Sequence, residues 1–225
     1  MATKKEAKKE LATVSQMSQQ RKTFRLTLTS ECLATQSGNP EVAYEHYAKK
    51  SALTEEEFAE LFPPTPREVI EEGVPRTEMT IFPRDDEGRP LLWGYQLKGF
   101  FKEAARMLRL RKDKDTISSQ TSNYTGRIDG LVFVAERSTP FIFDGETTIM
   151  QRPLRARTAQ GERVALATSE VVPAGAYVDL TVVCLDDTLW PWIYELLDYG
   201  QFHGLLQWRN SGKGTFVWEL LEEEE

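Results

Sequence analysis

Cysteine and histidine are scarce: Cys32, Cys184, His46 and His203 are the only ones in 225 residues. Neither pair has the spacing of a metal-ligand set, so no metal site is expected, and the cysteines, each in a strand-like apolar run, are read as reduced, buried thiols. Long apolar runs are missing as well. No stretch reaches the roughly 18 residues that mark a membrane-spanning helix, and the opening MATKKEAKKELATVSQMSQQ lacks the apolar core of an export signal. A cytoplasmic protein with no membrane partner is expected. An excess of positive charge is absent too, since the formal net charge is −7, which excludes a simple polycation that holds nucleic acid by overall charge. No Ser/His/Asp or Cys/His arrangement is readable from spacing, and the scattered carboxylates Asp129, Asp144 and Asp179 make no metal set. No cofactor is expected.

What is present is charge segregated along the chain. Acidic residues crowd the stretch 41–87 (Glu55, Glu56, Glu57 and Glu60, then Glu68, Glu71 and Glu72) and close the sequence at Glu222 to Glu225. Between them lie two basic clusters, one running from Lys98 to Lys114 and one made of Arg152, Arg155, Arg157 and Arg163. The acidic excess therefore belongs to parts remote from a basic surface.

The residues before Lys22 carry no sustained apolar face and read as a flexible arm over 1–21. In KTFRLTLTSECLA, Phe24, Leu26 and Leu28 alternate with polar residues, the period of a half-buried strand. The acidic, proline-bearing segment of about 38–90 reads as an insertion outside the central sheet. In LLWGYQLKGFFKEAARMLRLRKDK, Leu97, Phe101, Ala104 and Leu108 share one helical stripe, and Lys98, Lys102 and Arg106 form a basic edge beside it. The polar residues 113–127 read as an exposed loop, and Arg152 to Arg163 as a basic loop. A long strand from Tyr177 to Leu185 and a helix in TLWPWIYELLDYG follow, with Pro191 in the first turn, where a missing N–H costs little. Stripped of insertions, the order is β-α-β-β-α-β. This is an α+β class with a ferredoxin-like, RRM-like core, a large insertion after the first strand and a Gly-rich loop before the last.

That loop, GQFHGLLQWRNSGKGTF, is not a nucleotide-hydrolysing phosphate loop, because seven residues separate Gly204 from Gly212 and Gly214 follows Lys213. Two readings stay open. Gly204, Gly212 and Gly214 serve backbone torsions alone, or their missing side chains let a nucleic-acid backbone approach while Arg209 and Lys213 neutralise phosphates and Trp208 stacks on a base. His203 is a weak candidate for a general base in RNA cleavage, with no visible catalytic partner.

Three segments together resemble the RAMP superfamily, the ferredoxin-like RNA-binding proteins of CRISPR effector complexes: YQLKGFFKEAARML, TSEVVPAGAYVDLTVVCL and GQFHGLLQWRNSGKGTF, in that order. The likeness spans 22–221, the insertion excepted, and is to backbone-subunit members and to RAMP-like proteins of phages and prophages. Trp93-Gly94-Tyr95-Gln96 replaces the family's Pro-Gly-Ser-Ser, and no catalytic residue of the family falls on a residue here. The resemblance implies a non-catalytic protein that tracks single-stranded or guide RNA through Lys98, Lys102, Arg106, Arg152, Arg155, Arg157, Arg163, Arg209 and Lys213. It further implies a homo- or hetero-oligomer with other effector-complex subunits. The alternatives are a metal-independent endoribonuclease using His203, and a phage-encoded interaction protein that mimics or inhibits a CRISPR complex.

Overall fold

The structure, a computed structural model, describes residues 20–39, 42, 76–111, 115–158 and 161–224. The expected arm up to residue 19, His46 and most of the expected insertion lie outside the described residues. Among these, the order is β1 (Gln20–Leu28), β2 (Cys32–Leu33), β3 (Gln36–Ser37), β4 (Met79–Ile81), β5 (Leu91–Trp93), α1 (Gly94–Leu108), α2 (Ile117–Gln120), α3 (Tyr124–Leu131), β6 (Val132–Val134), β7 (Ser138–Pro140), β8 (Thr148–Thr158), β9 (Gly161–Val172), β10 (Tyr177–Cys184), α4 (Trp190–Asp198) and β11 (Phe216–Glu224). The class is α+β.

Alternation in β1 does what its period requires: Lys22, Phe24, Leu26 and Leu28 are buried and the residues between them are not. The strand is central in a four-stranded antiparallel sheet of order β11-β1-β10-β6. Helices α1 and α4 bring Leu97, Phe100, Phe101, Trp190, Ile193 and Leu196 into one core with Phe24, Leu180 and Phe216. Phe100 meets Phe216 edge-on, ring centroids 5.2 Å apart. Buried side chains of this size contribute roughly 1.5–3 kcal/mol each. On the side of β1 and β10 away from this core, Arg25 holds Asp179 with two hydrogen bonds of 2.8 Å and stacks 4.1 Å above the Tyr177 ring. Tyr177 is thereby covered, so it offers no open ring for base stacking on that face.

A second sheet pairs β9 with β8, β2 and β4, and β4 with β3. Its anchor is Glu170, whose carboxylate accepts from the Phe82 N–H at 2.8 Å and the Thr147 hydroxyl at 2.7 Å and pairs with Arg84. The expected insertion thus supplies β4, at its described end, to this sheet.

Three readings of local structure are corrected. Arg152 to Arg163 is no loop but the end of a two-stranded ribbon, paired from Thr148↔Val171 to Thr158↔Gly161. Beyond Arg152 it pairs with no other described strand, leaving roughly 20 Å of free ribbon at strand rise per residue. Residues 113–127 do bury a part of themselves. Ser118 is fully buried because Glu195 accepts from the N–H groups of Ile117 and Ser118 at 2.7 and 2.8 Å and Trp192 Nε1 donates to the Ser118 hydroxyl at 2.8 Å. A polar segment is buried at little cost once its donors have partners. Finally, Glu222 to Glu224 extend β11 rather than forming a tail, Glu223 and Glu224 standing opposite Lys22 and Arg21 in the register.

Cys32 and Cys184 are buried free thiols, and burial pushes the Cys32 thiol up to about 12, which keeps it protonated and unreactive. No helix among the described residues is long and apolar enough to cross a membrane.

Candidate nucleic-acid interface

The basic edge of α1 is partly exposed, with Arg106 exposed and Lys98 and Lys102 half-buried, and it is internally paired. Lys98 donates to the Asp129 carbonyl at 3.0 Å and lies 4.6 Å from the Phe133 ring centroid, Lys102 pairs with the Asp129 carboxylate at 3.0 Å, and Arg106 pairs with Glu103 at 2.7 Å. Exposed pairs of this kind are worth only about 0–1 kcal/mol, so a phosphate can displace them.

From Arg106 the path continues into the glycine loop. Glu103 is lowered below the usual carboxylate range first by its bond to Arg106, with Arg209 and His203 adding to it. Trp208 then sits 5.0 Å from the Arg152 guanidinium at the root of the ribbon. Arg106 and Arg209 both act on Glu103, and Trp208, next to Arg209 in sequence, lies over Arg152, which links the α1 edge to the root of the ribbon. On the ribbon itself Arg155 is exposed, with no bonded partner among the described residues, and Leu154, Val164 and Leu166 are 47%, 61% and 71% exposed. Such apolar exposure is unusual on a strand unless something covers it. The side chains of Arg157 and Arg163 lie outside the described residues; in the register Arg157 faces Glu162 and Arg163 faces Ala156.

The glycines separate into two kinds. Leu205 N–H donates to Gly214 O at 2.8 Å and Gly214 N–H to Glu31 O at 2.8 Å, so the loop closes on itself and on the turn after β1. A Cβ on Gly204 would stand 2.1 Å from the Gly214 carbonyl carbon, and one on Gly214 would stand 2.3 Å from Leu205 O. Those two glycines are spent on chain crossing. Gly212, at φ 73°, faces open space and alone of the three leaves room for a ligand backbone. Lys213 pairs with Glu31.

His203 stacks on Tyr199 with ring centroids 5.6 Å apart, and its Nε2 is buried without a partner among the described residues. Burial first, then Arg209, holds the imidazole below its usual value. A nitrogen closed to solvent cannot reach a 2′-hydroxyl, so this geometry does not favour catalysis through Nε2. It does favour a pH effect on stability. Between the free-histidine value near 6.5 and the lower folded value, the unfolded chain binds the extra proton, so stability falls as pH drops through that window and levels off below it. The urea midpoint should decline between pH 7 and 5 in the wild type and less in His203→Gln; superimposable curves would mean the ring is not held neutral. The contribution of Glu103 is lost separately, at lower pH, as its depressed carboxylate titrates.

Among the described residues no group of three His, Cys, Asp or Glu side chains is placed to hold a metal ion. The sequence pointed to Arg155, Arg209 and Trp208 by residue type. It carried no signal for Gln207 or Ser169, which touch Arg152, nor for the exposure of Val164 and Leu166.

No family model matches the chain, and no curated protein matches it in sequence. Among solved structures it is similar to a chain in a cryo-EM structure of the Type III-B Cmr-beta bound to cognate target RNA, with 9% identity and a TM-score of 0.47. The match covers 98% of this chain and 64% of that one, so the chain spans less than two thirds of that neighbour's length.

Proposed function

We propose that the chain is a non-catalytic RNA-binding protein of RAMP type, with residues 22–221 as one ferredoxin-like domain. The strand order β11-β1-β10-β6, with α1 and α4 between successive strands of that sheet, supports the ferredoxin-like reading. The observation that carries the function is the track from the α1 edge through Arg209 and Trp208 to the free ribbon, which carries Arg152 and exposed Leu154 on one face and Arg155 with exposed Val164 and Leu166 on the other. Cations beside apolar side chains suit a single strand, whose phosphates need charge and whose unstacked bases need apolar contact. Paired duplex offers less to the second kind.

Binding to single-stranded RNA should be salt-dependent and weakly dependent on sequence. Fluorescence anisotropy with the double variant Arg155→Glu, Arg209→Glu should show at least about tenfold weaker binding at low salt, each lost phosphate contact flattening the log–log salt slope by about 0.7. Absence of binding by the wild-type protein at low salt overturns the reading. The exposed ribbon leucines also fit a protein neighbour in a homo- or hetero-oligomer. Purification as an assembly free of nucleic acid, judged by absorbance ratio, would favour that second reading, an interaction protein on the same scaffold.

A further inference from the structure

At the root of the ribbon lies a cavity of about 390 Å³ whose lining includes Thr35, Ser37, Thr80, Ser169, Arg152 and Gln207. Arg152 is 7% exposed. Its terminal nitrogens donate to Ser169 Oγ at 3.2 Å and Gln207 Oε1 at 2.6 Å, its Nε has no partner, and no carboxylate pairs with it among the described residues. Burial lowers its pKa, with no acidic group offsetting the effect. Glu78 also lines the cavity, but it is exposed and does not bond Arg152. A buried guanidinium without a counter-charge is costly, and an anion seated in the cavity relieves it.

The hydrogen-bond directions agree. Ser169 Oγ accepts from both Arg152 and Thr80, the latter at 2.8 Å, so its own proton is left to donate. Gln207 spends its carbonyl on Arg152, so its amide protons are left as well. The remaining capacity of these groups is donor capacity, which selects an anion over a cation. Backbone strain points to the same place: Leu206 and Trp208, on either side of Gln207, hold left-handed backbone at φ 62° and 58°. Non-glycine residues keep such angles where the surroundings enforce them, as at ligand clamps. The strained turn is what sets Gln207 and the Trp208 ring against Arg152.

We propose that this cavity is a phosphate subsite, in which Arg152 neutralises one phosphodiester of a single-stranded RNA while Gln207 and Ser169 donate to its oxygens. The inference rests on the RNA-binding reading above and adds to it where the strand meets the ribbon. It gives Arg152 a task distinct from that of exposed Arg155: one buried, directional contact instead of a solvated one.

The test uses the full chain, a short oligouridylate as the polymer probe, and inorganic phosphate and uridine monophosphate as free probes. Gln207→Glu places a carboxylate on Arg152 and Arg152→Met removes the charge at similar volume. Both should raise the thermal midpoint without ligand, because the first gives the buried cation a counter-charge and the second removes it. Both should weaken oligouridylate binding roughly tenfold and flatten the salt slope by about 0.7. If both variants bind oligouridylate as tightly as wild type, the subsite is wrong while RNA binding stands. If wild type ignores oligouridylate yet is stabilised by inorganic phosphate or the mononucleotide through Arg152, the polymer source and the RNA-binding reading both fail.

Discussion

Gly204→Ala should destabilise the protein by about 3 kcal/mol or more, on the scale of forcing atoms into a filled site. Its new Cβ would lie 2.1 Å from the Gly214 carbonyl carbon and 2.3 Å from Lys213 O, and both are main-chain atoms that no side-chain rotation can move aside. The crossing is held at a second point by the Leu205 N–H on Gly214 O and a third by the Gly214 N–H on Glu31 O, so relief at Gly204 means losing the contact between the loop and the turn after β1. Gly212→Ala is the internal control. It faces open space at φ 73°, so it should cost only about 1–2 kcal/mol, the price of a left-handed residue with a Cβ. Urea unfolding of the two variants checks the difference, and equal midpoints would mean that the loop does not cross itself.

Glu170→Ala should cost about 2–3 kcal/mol, since it removes a buried carboxylate and leaves the donors it accepts from unmatched. The Glu170 side chain is 8% exposed and its partner Arg84 34%. Removing the carboxylate leaves the Phe82 N–H and the Thr147 O–H without their acceptor and Arg84 without its counter-charge, although Arg84 keeps its bonds to Gly88 O and Thr147 Oγ1. Glu170→Gln keeps an acceptor for Phe82 and should lose less. Hydrogen exchange should place the loss at the base of the ribbon, with the core of β1 and β10 protected; uniform loss across the molecule would contradict a local anchor.

The readable parts of the chain were those whose signal is local. Leu97, Phe101 and Ala104 recur with the turn of a helix, and Phe24, Leu26 and Leu28 with the pleat of a strand, because burial on one side imposes that period whatever the partner is. The helix of Trp190–Asp198 carried both a period and a proline in its first turn. Residues 113–127 misled because polarity reads as exposure until Glu195, far along the chain, supplies the acceptor for Ser118. The arginine run misled in another way. Arg152 and Arg155 are alike in type and neighbourhood, and an odd spacing in a strand sends one to each face. Only the register with β9 and the position of Gln207 decide that Arg152 is buried and Arg155 is not.

The stretch from Gly200 to Leu221, a Gly-rich loop running into β11, shows the division most sharply. Composition and periodicity alone determined that glycines would join a helix to a last apolar strand, that nucleotide hydrolysis had no motif there, and that positive charge was kept apart from the acidic segments. Which glycines cross a backbone and which one faces solvent, and which arginine lacks a counter-charge, were decided by the tertiary structure. A missing Cβ and a buried charge have meaning only against the atoms beside them, and those atoms come from residues distant in sequence.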